Sequence, residues 1–235
     1  MCGRTSLAVD ISVLRQRFDV ATTDAVEAYV PKYNIDPSDG LVTITNENPD
    51  TADVLEWGFV PEWADDPDDV PNPINARAEG VQDSGMFRSA LKNKRCLVIA
   101  DGFYEWQGAR GRKQPYRIVR EDREPFAFAG LWSQWEPASG NSLRETVTIL
   151  TTEPNAVLEP IHDRMPVMLE PTEETAWLTG DTTDAMGVLD TYPEDVLEAY
   201  PVSKQVNNPD TETPDLYEQI DIGEQSGLDE FSASD

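Results

Sequence analysis

Apolar positions in this chain recur mostly in short runs broken by Gly, Pro and Asn. Strands are predicted at 41–45 (LVTIT), 54–60 (VLEWGFV), 96–106 (CLVIADGFYEW), 115–119 (PYRIV), 126–132 (FAFAGLW) and 145–151 (ETVTILT). Helical spacing is rarer. Residues 8–18 place Ile11, Leu14 and Phe18 on one face, and 84–93 read as a short helix with Ser84 as N-cap. Stretches 171–178 and 193–200 each begin near a proline with acids in the first turn, a helix signature. Strands fill the middle and short helices the ends, with no βαβ alternation. The pattern predicts an α+β fold: one compact domain with a curled, barrel-like, mostly antiparallel sheet flanked by short helices. Residues 1–206 form that domain in this reading. Residues 207–235, acidic and poor in apolar side chains, read as a flexible, solvated tail.

At 235 residues the chain can bury a substantial core. No secretory signal or membrane-length apolar run is visible, so a cytoplasmic protein without membrane contact is expected. Two cysteines and one histidine are too few for a zinc set or a disulfide framework, and neither metal nor cofactor is expected. A monomer is assumed.

Charge changes the picture. The formal net charge is −27, and after Lys204 no basic residue follows. Such a coat repels nucleic acid in dilute salt, but the Debye length falls to about 3 Å at 1 M salt. A halophilic origin is therefore the favoured reading. Against this background, the block from Arg77 to Arg123 holds eleven basic and six acidic residues. It is a candidate phosphate-facing surface, unless these cations pair with the acidic coat.

Candidate chemistry starts at Cys2. Once Met1 is removed, Cys2 carries a free α-amine beside its thiol, and such a 1,2-aminothiol traps an aldehyde. The amine condenses to an imine, and the thiol closes on the imine carbon as a thiazolidine. An α-amine near pKa 7.7–8.0 is partly neutral at pH 7, unlike lysine. The bland alternative is a small buried side chain. Three groups could move protons or hold a polar ligand: His162, the lone histidine, before an apolar run; Glu105, inside an aromatic run; and Asn75. Asn75 and Arg77 share a face if residues 75–77 are extended. Each has a structural alternative.

Taken in order, MCGR at 1–4, WGFVPEWA at 57–64, NARAE at 75–79, CLVIADGFYEW at 96–106, AGLW at 129–132 and HDRMPVML at 162–169 resemble one family, over about residues 1–206. This is the SRAP family, SOS-response-associated peptidases that process abasic sites. The resemblance implies covalent capture, through Cys2, of the ring-opened abasic aldehyde in single-stranded DNA. It implies that Asn75 orients the N-terminus and the sugar, and that Glu105 assists proton transfer. His162 would act on the sugar hydroxyl, and Arg4 and Arg77 would contact phosphates. Self-peptidase and lyase activities are implied too. The acidic loops at 33–40 and 63–73 depart from the family's usual pattern. Two other classes are alternatives: an N-terminal-cysteine amidotransferase-like hydrolase, which needs an oxyanion hole for which no Asn-Gly pair is present, and a non-catalytic interaction protein in the DNA-damage response.

Overall fold

Strand runs of the sequence become strands in the computed structural model, which describes residues 2–109, 112–137, 140 and 143–222. The first half contains β1 (Thr5–Leu7), α1 (Ile11–Phe18), β2 (Ala21–Thr22), α2 (Asp24–Glu27), β3 (Lys32–Ile35), β4 (Gly40–Thr45), β5 (Asn48–Trp57), β6 (Asn75–Arg77), α3 (Arg88–Asn93) and β7 (Arg95–Ala100). The second half contains β8 (Gly102–Gln107), β9 (Gln114–Arg120), β10 (Phe126–Trp135), β11 (Arg144–Thr152), β12 (Met165–Pro166), β13 (Met168–Leu169), α4 (Glu174–Thr179), α5 (Thr182–Gly187) and β14 (Leu197–Pro201).

Five of these strands close on themselves. β11 pairs with β10, β10 with β7, β7 with β4 and β4 with β5, all antiparallel; β5 returns to β11 in parallel and seals the ring. Closure leaves no free edge among these five strands. The second sheet runs β14-β9-β8-β1-β3 and is antiparallel throughout. Its Phe103 meets Phe128 of β10 edge-on, with centroids 5.8 Å apart, and Cys2, Leu7, Phe103 and Ile118 share one apolar core with the barrel strands. Burying this continuous core is the main force holding the two sheets together. Inside it, a Cβ on Gly130 would lie 2.8 Å from both Cys96 Sγ and Val98 Cγ2.

Four sequence expectations change. The run 96–106 is two strands, because the chain turns at buried Asp101 and passes from the barrel to the second sheet. A Cβ on Gly102 would sit 2.7 Å from the Arg117 guanidinium, which would have to shift. Residues 193–200 form a 3-10 turn, Glu194–Val196, and then β14, because pairing from Leu197↔Arg120 to Pro201↔Tyr116 outweighs the local helix signature. Ser84 caps a turn, accepting from Met86 N and Phe87 N at 3.2 and 3.4 Å, while α3 starts only at Arg88. Residues 208–222 are not a free tail: Leu216 is fully buried with Tyr104, Val119 and Val206. Buried Leu216, with Tyr217 hydrogen-bonded to Asp101, anchors this mostly polar stretch. The rest of the expected tail, 223–235, lies outside the described residues.

Candidate active site

The site assembles where β1, β6, β8 and the β11–β12 loop meet. Beyond the paired residues Thr5↔Phe103, Tyr104 N donates to Arg4 O at 2.9 Å, so the start of the chain runs alongside Glu105. Cys2 is fully buried. Its Sγ donates to Arg4 O at 3.6 Å, and its carbonyl accepts from Asn75 Nδ2 at 2.8 Å. Asn75 is placed by β6, which adds in parallel to β11 through Asn75↔Ile149 and Thr151↔Arg77. Ala76 points into the core, so Asn75 and exposed Arg77 project to the other side. Asn75 Oδ1 is buried and has no hydrogen-bond partner among the described residues. It is an acceptor available for an N–H or O–H of a ligand.

Glu105 faces inward from β8 and is 2% exposed. Burial, which penalises the charged carboxylate, pushes its pKa up from 4.5 to about 7. His162 Nε2 lies 3.9 Å from Glu105 Oε2. His162 is held by its own N–H to Leu158 O at 2.8 Å, and Gln107 Nε2 ties the end of β8 to Pro160 O at 2.9 Å. Arg164 N donates to His162 Nδ1 at 3.1 Å, Asp163 Oδ1 lies 3.0 Å from the same nitrogen, and Nε2 faces Glu105. Burial first, with the charge of Lys113 adding to it and Asp163 opposing, holds the imidazole pKa below 6.5. The usual order is thus reversed: near neutral pH the carboxyl is half protonated and the imidazole neutral. Burial, reinforced by the Glu105 charge, also raises the Cys2 thiol well above its ordinary value. The thiol is thus held protonated at neutral pH.

Cys2, Asn75, Glu105 and His162 therefore share one site, with Arg77 at its exposed edge. Arg4 is placed differently. The pleat sets it beside Tyr104, on the face opposite Glu105, where its Nη1 donates to Asn34 Oδ1 at 2.8 Å. The basic block does not form a single surface either. Arg95 and Arg117 are buried, Arg117 against Asp101, while Lys94, Arg120 and Arg123 pair with Glu47, Asp122 and Glu198.

Two features escaped the reading of the sequence. Arg164 makes a bidentate pair with Glu79, at 2.6 and 2.9 Å, and donates to Thr151 O at 2.6 Å. This clip fastens the Asn75–Arg77 strand to the loop carrying His162. Its signal was the Arg two residues after the lone His and the Glu two residues after Arg77. The charge of Lys113, just before β9, bears on both Glu105 and His162, and Lys113 carries no local motif. Among the described residues no group of three His, Cys, Asp or Glu could hold a metal, and no helix is long and apolar enough to cross a membrane.

Comparison with known proteins extends this picture. The model of the SOS response associated peptidase family matches residues 1–209. Abasic site processing protein YoqW of Bacillus subtilis is 40% identical over 223 residues, covering 93% of this chain and 99% of that protein. Abasic site processing protein HMCES of Gallus gallus is 31% identical, covering 95% of this chain and 79% of that protein. A crystal structure of a Bordetella bronchiseptica protein, 28% identical, superposes with a TM-score of 0.75 over 86% of this chain and all of that one. One from Bacteroides thetaiotaomicron, 24% identical, shares the fold with a TM-score of 0.83 over 93% of this chain and all of that one.

Proposed function

Because the chain belongs to the SOS response associated peptidase family, whose relatives above are abasic site processing proteins, we propose that it captures abasic sites in single-stranded DNA by a covalent bond through Cys2. The observation that carries this reading is the convergence of buried Cys2 with a carboxyl poised near pH 7 and a neutral imidazole.

After removal of Met1, the Cys2 amine adds to the C1′ aldehyde of the ring-opened sugar. Protonated Glu105 donates to the departing hydroxyl, which leaves as water, and the imine forms. The nitrogen keeps one of its amine protons, so this species is an iminium; the Glu105 carboxylate takes the Cys2 thiol proton as Sγ bonds to the iminium carbon, leaving a neutral ring N–H. A five-membered thiazolidine results, with two new bonds and one water lost. A buried thiol that resists ionisation is suited to this order, because its proton leaves only as the carbon–sulfur bond forms. Asn75, bound to the Cys2 carbonyl, orients the nucleophile, and its spare Oδ1 takes the sugar. His162 acts on the sugar hydroxyl during ring opening. Glu105 and His162 also serve in releasing Met1, a self-peptidase step, and in reversing the adduct, a lyase step. Arg77, at the exposed edge of the site, contacts backbone phosphates. The protein works as a cytoplasmic monomer, and its acidic coat suits a halophilic, high-salt interior.

The test uses single-stranded DNA bearing one abasic site, incubated with protein with and without Met1 and resolved on a denaturing gel. Wild type lacking Met1 gives a heat-stable adduct without reductant. Cys2→Ala, also lacking Met1, gives one only with borohydride, which traps the imine. Equal heat-stable adduct from Cys2→Ala without reductant overturns the reading.

A further inference from the structure

β1, the strand that follows Cys2, is only three residues long and makes two residue pairs with each neighbour. So short a ladder is a weak determinant of where Cys2 lies. Two polar anchors supplement it. The carboxylate of Asp101, 7% exposed, accepts from Ser6 Oγ and Ala8 N at 2.7 Å each, and from Arg117 Nη2 at 3.1 Å. The Asn34 side chain accepts from Arg4 Nη1 at 2.8 Å. One anchor holds the start of β1 and the other its end.

Both anchors are completed from the same place, the stretch that follows β14. The Tyr217 hydroxyl donates to Asp101, 2.8 and 2.9 Å from the two carboxylate oxygens. Its ring lies under the Arg117 guanidinium, 3.5 Å from Cζ to centroid, and meets Tyr33 edge-on at 4.9 Å. Asn34 Nδ2 donates to Asn208 O and Thr211 O at 2.9 and 3.0 Å. Ile220 N returns to Pro201 O at 3.0 Å, and Leu216 is fully buried. Residues 208–220 thus cross the second sheet on the face away from Glu105 and hold β1 at both ends.

We propose that this C-terminal strap is a positioning element for the nucleophile: by fixing Asp101 and Asn34 it sets β1, and with β1 the approach of Cys2 to Glu105. Tyr217 acts through Asp101 and Ser6 and is a positioning residue. The effect on adduct formation rests on the covalent reading above; the effect on Cys2 protection does not.

The test compares full-length wild type with Tyr217→Phe, which keeps the ring and loses the hydroxyl, and with Tyr217→Ala. Iodoacetamide labelling followed by peptide mass spectrometry reports Cys2 and Cys96 separately; both are fully buried, and Cys96 lies in the barrel core as an internal control. Hydrogen bonds to a buried charge are among the stronger ones, so Tyr217→Ala is expected to speed labelling of Cys2 about tenfold while Cys96 stays protected. The maximal rate of adduct formation on abasic single-stranded DNA is expected to fall about tenfold. The DNA concentration at half-saturation should hold, with Tyr217→Phe intermediate in both readouts. Cys2 and Cys96 gaining reactivity together, in both variants, would mean that the strap only stabilises the fold and would overturn the proposal. Unchanged Cys2 labelling in both variants would overturn it too, and Tyr217→Phe decides if Tyr217→Ala does not fold. If wild type lacking Met1 forms no adduct while Cys2 is selectively exposed in the variants, the strap stands and the covalent reading falls.

Discussion

Glu105 shows how a single residue couples the chemistry to stability. Its carboxyl is raised from 4.5 to about 7, so the folded state binds a proton that the unfolded chain releases between those values. Stability from this group therefore declines as pH rises through that interval: no burial penalty below about 4.5, the full penalty above about 7. Glu105→Gln removes the penalty. Relative to wild type, the variant should gain about 2 kcal/mol between pH 5 and pH 7 and level off above that, measured by urea unfolding at each pH. A difference that stays constant with pH would show that the carboxyl is not held protonated by burial. The same variant should form or reverse the adduct about 10²–10⁴-fold more slowly and lose the pH-rate limb near 7. A wild-type rate in both directions would return Glu105 to a packing role.

Among the elements, β10 is the most constrained. It pairs with β7 over 126–131 and with β11 over 130–135, so both flank Gly130, which faces Cys96, Val98 and Val147. A methyl group there has no room unless a backbone or a core side chain moves. Gly130→Ala should cost about 1–3 kcal/mol by overpacking, seen as a lower urea midpoint with unchanged slope. An unchanged midpoint would mean that the barrel yields at this layer. Short β6 is constrained in another way. Only three residues long, it is held by β11 on one side and by the Glu79–Arg164 clip, and the clip carries Asn75 and His162 as one unit.

The whole molecule sets a fine balance with DNA. Lys94, Arg117, Arg120 and Arg123 of the basic block are engaged in ion pairs, so only part of the block can face phosphates on a chain of net charge −27. Exposed Arg77 is the clearest candidate, and Arg77→Ala should reduce the salt slope of reversible binding by about 0.7 for single-stranded DNA. Counterion competition dissolves phosphate contacts but not a thiazolidine, and high salt also screens repulsion from the coat. Adduct yield should therefore hold or rise from low to molar KCl, while reversible binding to intact single-stranded DNA stays weak. The two quantities are measured on one oligonucleotide with and without the abasic site. Their parallel collapse, with the fold intact by circular dichroism, would refute this account.

Local pattern located β4, β7, β10 and β11 of the barrel, since period-two and continuous apolar runs between Gly, Pro and Asn have few other ways to bury their side chains. Of β5 (Asn48–Trp57) it caught only the last part, as a run at 54–60, because the exposed polar start of that strand carries no such pattern. It also marked Cys2, Asn75, Glu105 and His162, because rare or oddly placed polar groups stand out against that pattern. The ring closure between β5 and β11, distant in the chain, was decided only by the tertiary structure. So was β14: its residues carry a helix signature, yet an unpaired edge of β9 offers more hydrogen bonds than a short helix does. The same holds for the strap, where a few apolar side chains and Tyr217 find partners 116 residues away at Asp101. Composition averages such a segment into an acidic tail. Its fixed position comes from contacts between residues far apart in sequence, which no window along the chain contains.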